Sequence, residues 1–189
     1  MKSQMFEYKY LTFLQYWCII LIYNKIKMKR GKSMKYKIYC DGAASNNGYE
    51  NAIGGWAFVV LDEEENIVFE EVDMFKGATN NRMELYAAYA GIWLLLDRKQ
   101  DVEHIDVYTD SAYLHNCITQ KWYENWMRNG WVNARKEPVA NKQLWQHLIP
   151  YFIDERIEFH KVKGHNGDKW NEYVDKLAVE ARQNMEDED

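Results

Sequence analysis

The sequence predicts one α/β domain built on a five-stranded mixed sheet, three antiparallel strands followed by two parallel ones, flanked by helices. Three observations predict it. Tyr36, Ile38 and Cys40 alternate with Lys37 and Tyr39, the period of a strand. Two further strands, Ile53 to Leu61 and Ile67 to Val72, are split only by the solvated turn Asp62-Glu63-Glu64-Glu65-Asn66, so the first three strands form an antiparallel meander. A helical stretch then leads into the strand His104 to Asp110, and a strand–helix–strand passage calls for a parallel neighbour.

Taken in order, the first strand runs from Lys35 to Asp41 and ends in the small-residue loop Gly42 to Gly48. The helix after the meander starts at Ala78-Thr79-Asn80-Asn81-Arg82-Met83-Glu84. Thr79 to Asn81 supply an N-cap oxygen, and Glu84 is expected in the first turn, where the helix dipole favours negative charge. Leu85, Ala88, Ile92 and Leu95 recur at helical spacing and form its buried stripe, with Glu84 one position off it. Ser111 to Thr119 reads as a short helix, Lys121 to Trp131 as an amphipathic aromatic segment, and Asn141 to Phe152 as a further helix. Ile157 to Val162 is the fifth strand, and Asn171 to Arg182 the closing helix.

The 189 residues suit one domain, and a hydrophobic fraction of 47% gives ample core. A net charge of −5 excludes a global basic field for a polyanion, although not a local patch. Cys18, Cys40 and Cys117 are odd in number, widely spaced and without zinc-site spacing, which points to a reducing, cytoplasmic setting. Residues 1–33 differ from the rest. Leu11 to Tyr23 is an apolar run too short to span a bilayer, which takes about 20 residues, and it lacks a secretory cleavage site. An anchor at a membrane, a helix docked on the domain and upstream sequence read from too early a start codon all compete. The last is favoured, with Met34 opening the domain 34–189, because the segment has the composition of translated AT-rich DNA.

Asp41 and Asp110 lie at the carboxyl ends of strands expected to be parallel neighbours, the edge at which open α/β sheets bind ligands. Glu84 opens the crossover helix. Asp175 lies in the last helix, with Asn171 one turn earlier on the same face. Four acids converging without a matching Lys or Arg must be relieved by protons or cations. Hard carboxylate oxygens suit Mg²⁺ or Mn²⁺, and four negative charges balance two divalent ions in a phosphoryl displacement. Singly, each Asp is equally a cap or a strand-end turn.

The motifs Tyr39-Cys40-Asp41-Gly42, Thr79-Asn80-Asn81-Arg82-Met83-Glu84-Leu85, Tyr108-Thr109-Asp110-Ser111 and Val162-Lys163-Gly164-His165-Asn166-Gly167, closing with Asn171 and Asp175, resemble the type 1 ribonuclease H family from about Met34 to Arg182. The resemblance implies the ribonuclease H-like fold and a monomeric endonuclease that cuts the RNA strand of RNA–DNA hybrids, leaving 5′-phosphate and 3′-hydroxyl ends. It implies Asp41, Glu84, Asp110 and Asp175 as ligands of two Mg²⁺ ions, with Mn²⁺ as a substitute. His165 would assist proton transfer or product release, although a lone loop His is also ordinary surface. Asn47, Asn80 and Asn81 would contact the hybrid, since amides both donate and accept toward a 2′-hydroxyl, and Thr79 would hold a DNA phosphate.

Lys121 to Trp131 resembles the family's handle, whose tryptophans and basic residues hold the DNA strand. Trp122, Trp126 and Arg128 are its candidates here, although the helical spacing of the tryptophans fits core packing equally well. The segment departs from a strong handle: Met127-Arg128-Asn129 replaces a basic cluster, and Glu124 is acidic. Ala112 stands where Gln is often found. Two rival readings are a 3′–5′ exonuclease of the same fold and a non-catalytic hybrid-binding module.

Overall fold

In the computed structural model, which describes residues 33–45, 49 and 51–187, the strands are β1 (Met34–Ala44), β2 (Ile53–Leu61), β3 (Ile67–Lys76), β4 (Val102–Thr109) and β5 (Ile157–Lys161). The helices are α1 (Asn80–Arg98), α2 (Ala112–Thr119), α3 (Trp122–Arg128), α4 (Lys142–Phe152) and α5 (Lys169–Asp187). The sheet order is β3-β2-β1-β4-β5. β1–β2 and β2–β3 are antiparallel, and β1–β4 and β4–β5 are parallel, as the sequence predicts. Residues 1–32 and Asn47 lie outside the described residues, so the readings of the N-terminal extension and of Asn47 have no structural counterpart. No helix among the described residues is long and apolar enough to cross a membrane.

β2 (Ile-Gly-Gly-Trp-Ala-Phe-Val-Val-Leu) is buried along its whole length because both faces of the sheet are covered there. Trp56, Phe58 and Val60 join the main core with Ile38, Ile105 and Val107 of the neighbouring strands and Leu85, Ala88, Ile92 and Leu95 of α1. Those four α1 residues are fully buried. Each large aliphatic side chain of this stripe contributes about 1.5–3 kcal/mol by leaving water. Tyr39, Ala57, Val59 and Leu61 face the other way and pack against Trp170, Val174 and Ala178 of α5. Among the described residues α5 lies over β1, β2 and β3 and makes no comparable contact with β4 or β5.

Two local readings are corrected. β1 does not end at Asp41: it continues to Ala44, because Gly42, Ala43 and Ala44 stay paired with Trp56, Gly55 and Gly54. Its parallel pairing with β4, however, stops at Tyr39 and Tyr108. The two strands therefore fork just before Asp41 and Asp110. Glu84, in turn, is not in the first turn of α1. Thr79, the earliest cap candidate, is the N-cap and accepts a hydrogen bond from the Arg82 amide at 3.3 Å, which leaves Glu84 in the second turn and no acid in the first.

Candidate active site

The fork is where the carboxylates meet. Asp41, Glu84 and Asp110 each offer an oxygen lying within 4.8 Å of the others'. Gly42 makes this approach possible. A Cβ there would fall on the backbone of Met83 and Glu84, so only glycine lets β1 run against the start of α1 and set Asp41 beside Glu84. Gly164 plays the same part for the loop after β5, where a Cβ would stand 2.6 Å from Asp110 Oδ2.

Two of the three carboxylates are held by hydrogen bonds. Asp41 is buried and accepts a hydrogen bond from the Gly42 amide at 2.7 Å. Glu84 is gripped from both sides: Asn80 Nδ2 donates to Oε1 at 2.9 Å, and the Ser111 hydroxyl donates to Oε2. Ser111 is itself fixed as the N-cap of α2, its Oγ accepting from the Leu114 amide at 3.2 Å. Asn80 Oδ1 accepts from the Ala44 amide at 3.1 Å, so Asn80 ties the end of β1 to α1 as well as orienting Glu84. Lys161, at the end of β5, places its ammonium 3.4 Å from the Asp110 carbonyl, a cation at the edge of the site.

Burial and the nearby charge of Asp110 push the Asp41 carboxyl up to about 8, with Asp175 and Glu84 adding to the rise and the Gly42 amide opposing it. Burial raises Glu84 as well, against the hydrogen bond from Ser111. Such groups exchange protons for cations when a divalent ion arrives. The donor set fits a hard ion: oxygen only, rigidly supported and short of positive charge.

Asp175 stands outside the tight group of three. Its Oδ2 lies 3.6 Å from Nδ1 of His165, an exposed residue at φ +51° in the loop after β5. Asp175 still adds to the field at Asp41. Asn171, one turn before Asp175 on α5, is buried, with its Oδ1 lacking a partner among the described residues. Thr79 is committed to its cap and half-buried, and Asn81 is exposed.

The handle candidates separate. Trp126 is buried, with ring centroids 5.5 Å from Trp145 and 6.2 Å from Trp131, so its ring faces serve the core and offer no platform to a strand. Trp122 is half-buried against it and donates from Nε1 to Gln120 at 3.0 Å. Arg128 is exposed, but its guanidinium is turned onto its own helix, toward the Glu124 carbonyl, Asn125 and the Glu124 carboxylate. Sequence reasoning missed Ser111, Lys161 and the grip of Asn80 on Glu84. Ser111 had one legible signal, its place as a cap residue directly after Asp110.

An all-oxygen carboxylate site at the fork of a mixed α/β sheet defines the class: a nuclease-type hydrolase served by hard divalent ions. A family model for RNase H matches residues 33–183. Ribonuclease H of Syntrophomonas wolfei is 44% identical over 146 residues, covering 76% of this chain and 93% of that protein. Ribonuclease H of Clostridium botulinum is 42% identical over 147 residues, covering 78% and 95%. The fold is similar to that of LC9-RNase H1, a type 1 RNase H, with a TM-score of 0.65 at 23% identity over 82% of this chain and 75% of that one. It is also similar to LC11-RNase H1 in complex with an RNA/DNA hybrid, with a TM-score of 0.58 at 22% identity over 79% and 98%. The chain belongs to the ribonuclease H family, hydrolases of the RNA strand of RNA–DNA hybrids that depend on divalent metal.

Proposed function

We propose that the protein is a cytoplasmic, monomeric endoribonuclease that cuts the RNA strand within RNA–DNA hybrids, using two Mg²⁺ ions and leaving 5′-phosphate and 3′-hydroxyl ends. The observation that carries this reading is the meeting of Asp41, Glu84 and Asp110 within 4.8 Å at the fork of the sheet. Asp175 completes the proposed ligand set from α5. Bound ions, with Mn²⁺ able to replace Mg²⁺, would supply a nucleophilic water and neutralise charge on the leaving oxygen.

The protein's own groups do the rest. Asn80 and Ser111 hold both oxygens of Glu84, so the carboxylate needs no reorganisation when substrate binds. His165 faces Asp175 through Nδ1, which leaves Nε2 to hold or pass a proton at the mouth of the site. Asn81, exposed in the first turn of α1, is assigned to the ribose 2′-hydroxyl, with Asn47 as a second contact. Asn80 contributes to recognition indirectly, because its amide is engaged with Ala44 and Glu84.

The test is cleavage of internally labelled hybrid, double-stranded RNA and double-stranded DNA with Mg²⁺, Mn²⁺ or EDTA. Internal cuts in the hybrid's RNA strand alone, abolished by EDTA, are expected. A ladder shortened one nucleotide at a time from the 3′ end would identify the exonuclease instead, and binding without cutting would identify the non-catalytic module.

A further inference from the structure

A second group of metal-binding side chains lies on β4 and β5, beyond the strands that α5 covers. His104 and Asp106 are two residues apart on β4 and project to the same side, as do Glu158 and His160 on β5. Parallel pairing sets Asp106 opposite Glu158, and Tyr108 opposite His160. One ligand atom each of His104, Asp106 and Glu158 lies within 4.8 Å of the others. Both imidazoles aim Nε2 at the same atom, Asp106 Oδ1, at 3.2 Å from His104 and 2.6 Å from His160. His160 Nδ1 lies 4.0 Å from Glu158 Oε1.

The group is built, not scattered. The His160 ring stacks on Tyr108 at 4.9 Å, and Tyr108 stacks on Tyr39 at 4.6 Å, which fixes its plane. His104, Asp106 and His160 are half-buried and Glu158 is open to solvent, so an ion has both a floor and an entry path. The cations nearby are Lys35 and Lys37, registered beside His104 and Asp106 on β1. The Lys37 ammonium is taken up by Glu65 at 3.0 Å.

We propose that His104, Asp106 and Glu158 form a divalent-metal site of the zinc class that clips edge strand β5 to β4, with His160 orienting Asp106 through its 2.6 Å contact. One imidazole and two carboxylates make three ligands of the nitrogen–oxygen set that Zn²⁺ accepts, with the fourth tetrahedral position left to water, whereas Mg²⁺ prefers oxygen alone. The two carboxylate charges balance the ion. Four residues along β4 from Asp106 to Asp110 amount to about 13 Å, which separates this site from the fork. β5 leads directly into the loop carrying His165, so a clip here would steady the approach to the fork.

The test uses the full chain carrying Asp41→Asn and Asp110→Asn, which silence the fork, stripped of metal and dialysed against Zn²⁺. One bound equivalent is expected, with imidazole scattering in its X-ray absorption spectrum and no displacement by excess Mg²⁺. Adding His104→Ala and His160→Ala should weaken Zn²⁺ binding by more than about tenfold. The same two histidine changes in the otherwise native chain should leave Mg²⁺-dependent hybrid cleavage in place, which also verifies folding. If that variant fails to fold, the milder His104→Gln is tested for the same loss of affinity. Absence of Zn²⁺ binding, an oxygen-only coordination shell, or binding that survives the histidine changes would each overturn the site.

Discussion

The fork and the handle are both candidate contact regions for substrate, and they are built in opposite ways. At the fork both oxygens of Glu84 and one of Asp41 are positioned by neighbours. Gly42 admits Asp41 to the start of α1, and Asn80 and Ser111 grip Glu84. In α3 the resources that would grip a strand are spent inside the protein: Trp126 is buried and Arg128 folds back onto Glu124 and Asn125. The contrast predicts a site held rigidly for chemistry at the fork and a weak grip on substrate at α3. Changes at the fork should therefore act on turnover and metal, and changes at α3 on affinity alone.

The largest expected effect is at the fork's centre. Asp110→Asn or Asp41→Asn should lower kcat by about a thousandfold or more, at least the loss seen when one preorganised electrostatic group is removed. Asp41→Asn has a second signature without metal. The Asp41 carboxyl sits at about 8 in the folded protein, against 3.8 for the ordinary group, so between these values the native state holds a proton that the unfolded chain has lost. The metal-free native protein accordingly loses stability as pH rises through that window. Asn does not ionise, so the variant should be more stable than the native chain in EDTA, by ~2 kcal/mol or more near the top of the window and by little at pH 4. Urea denaturation across pH measures it, and a gap that shrinks as pH rises would contradict the assignment.

Next come the supports of Glu84. Ser111→Ala and Asn80→Ala should each weaken divalent-metal affinity on the order of tenfold to a hundredfold, read from the Mg²⁺ dependence of the rate. Ser111→Ala also removes the cap of α2, which costs ~1 kcal/mol of stability. Asn81→Ala should instead raise KM for the hybrid and leave the Mg²⁺ dependence unchanged. If Asn80 and Asn81 variants behave alike, Asn80's bond to Glu84 is not what sets the carboxylate. His165→Ala comes lower, with kcat down by about tenfold to a hundredfold, at or below the lower end of proton-transfer effects. Its exposure and its single 3.6 Å contact make it an adjustable accessory.

What the sequence made legible follows the same division. The strand pairing could be read because periods, turns and the crossover rule are local signals, and the meeting of Asp41 and Asp110 followed from neighbouring parallel strands. The fork itself was not legible, because β1 runs on to Ala44 through its pairing with β2. Asn80 was harder, because an Asn beside a helix start looks the same whether it caps, orients a carboxylate or awaits a ribose. Only its two hydrogen bonds, to Ala44 and Glu84, separate these uses. Trp122 and Trp126 share a helical spacing that suits core and platform equally, and the packing of Trp145 and Trp131 around Trp126 decides for the core. The His104–His160 group left no trace in a linear reading. Its two halves, His104 with Asp106 and Glu158 with His160, lie more than fifty positions apart, and only the register of β4 against β5 brings them together.

The smallest expected effect is at the handle. Counterion release gives a slope of log affinity against log salt proportional to the phosphates neutralised, close to one unit per contact. Lys121 pairs with Glu124 at 3.6 Å and Arg128 with the same carboxylate at 3.8 Å, so a single acid offsets both cations of α3. Binding of a hybrid by a catalytically silent Asp110→Asn variant should thus show a shallow salt slope. Arg128→Ala should reduce that slope by less than about one unit and weaken affinity only a few-fold. Glu124→Gln should do the reverse, because it frees Lys121 and Arg128 to face a phosphate backbone, and the slope should steepen. If Glu124→Gln leaves the slope unchanged while Arg128→Ala removes a full unit, Arg128 already leaves its helix to grip the DNA strand, and the contrast between a held fork and a loose handle fails.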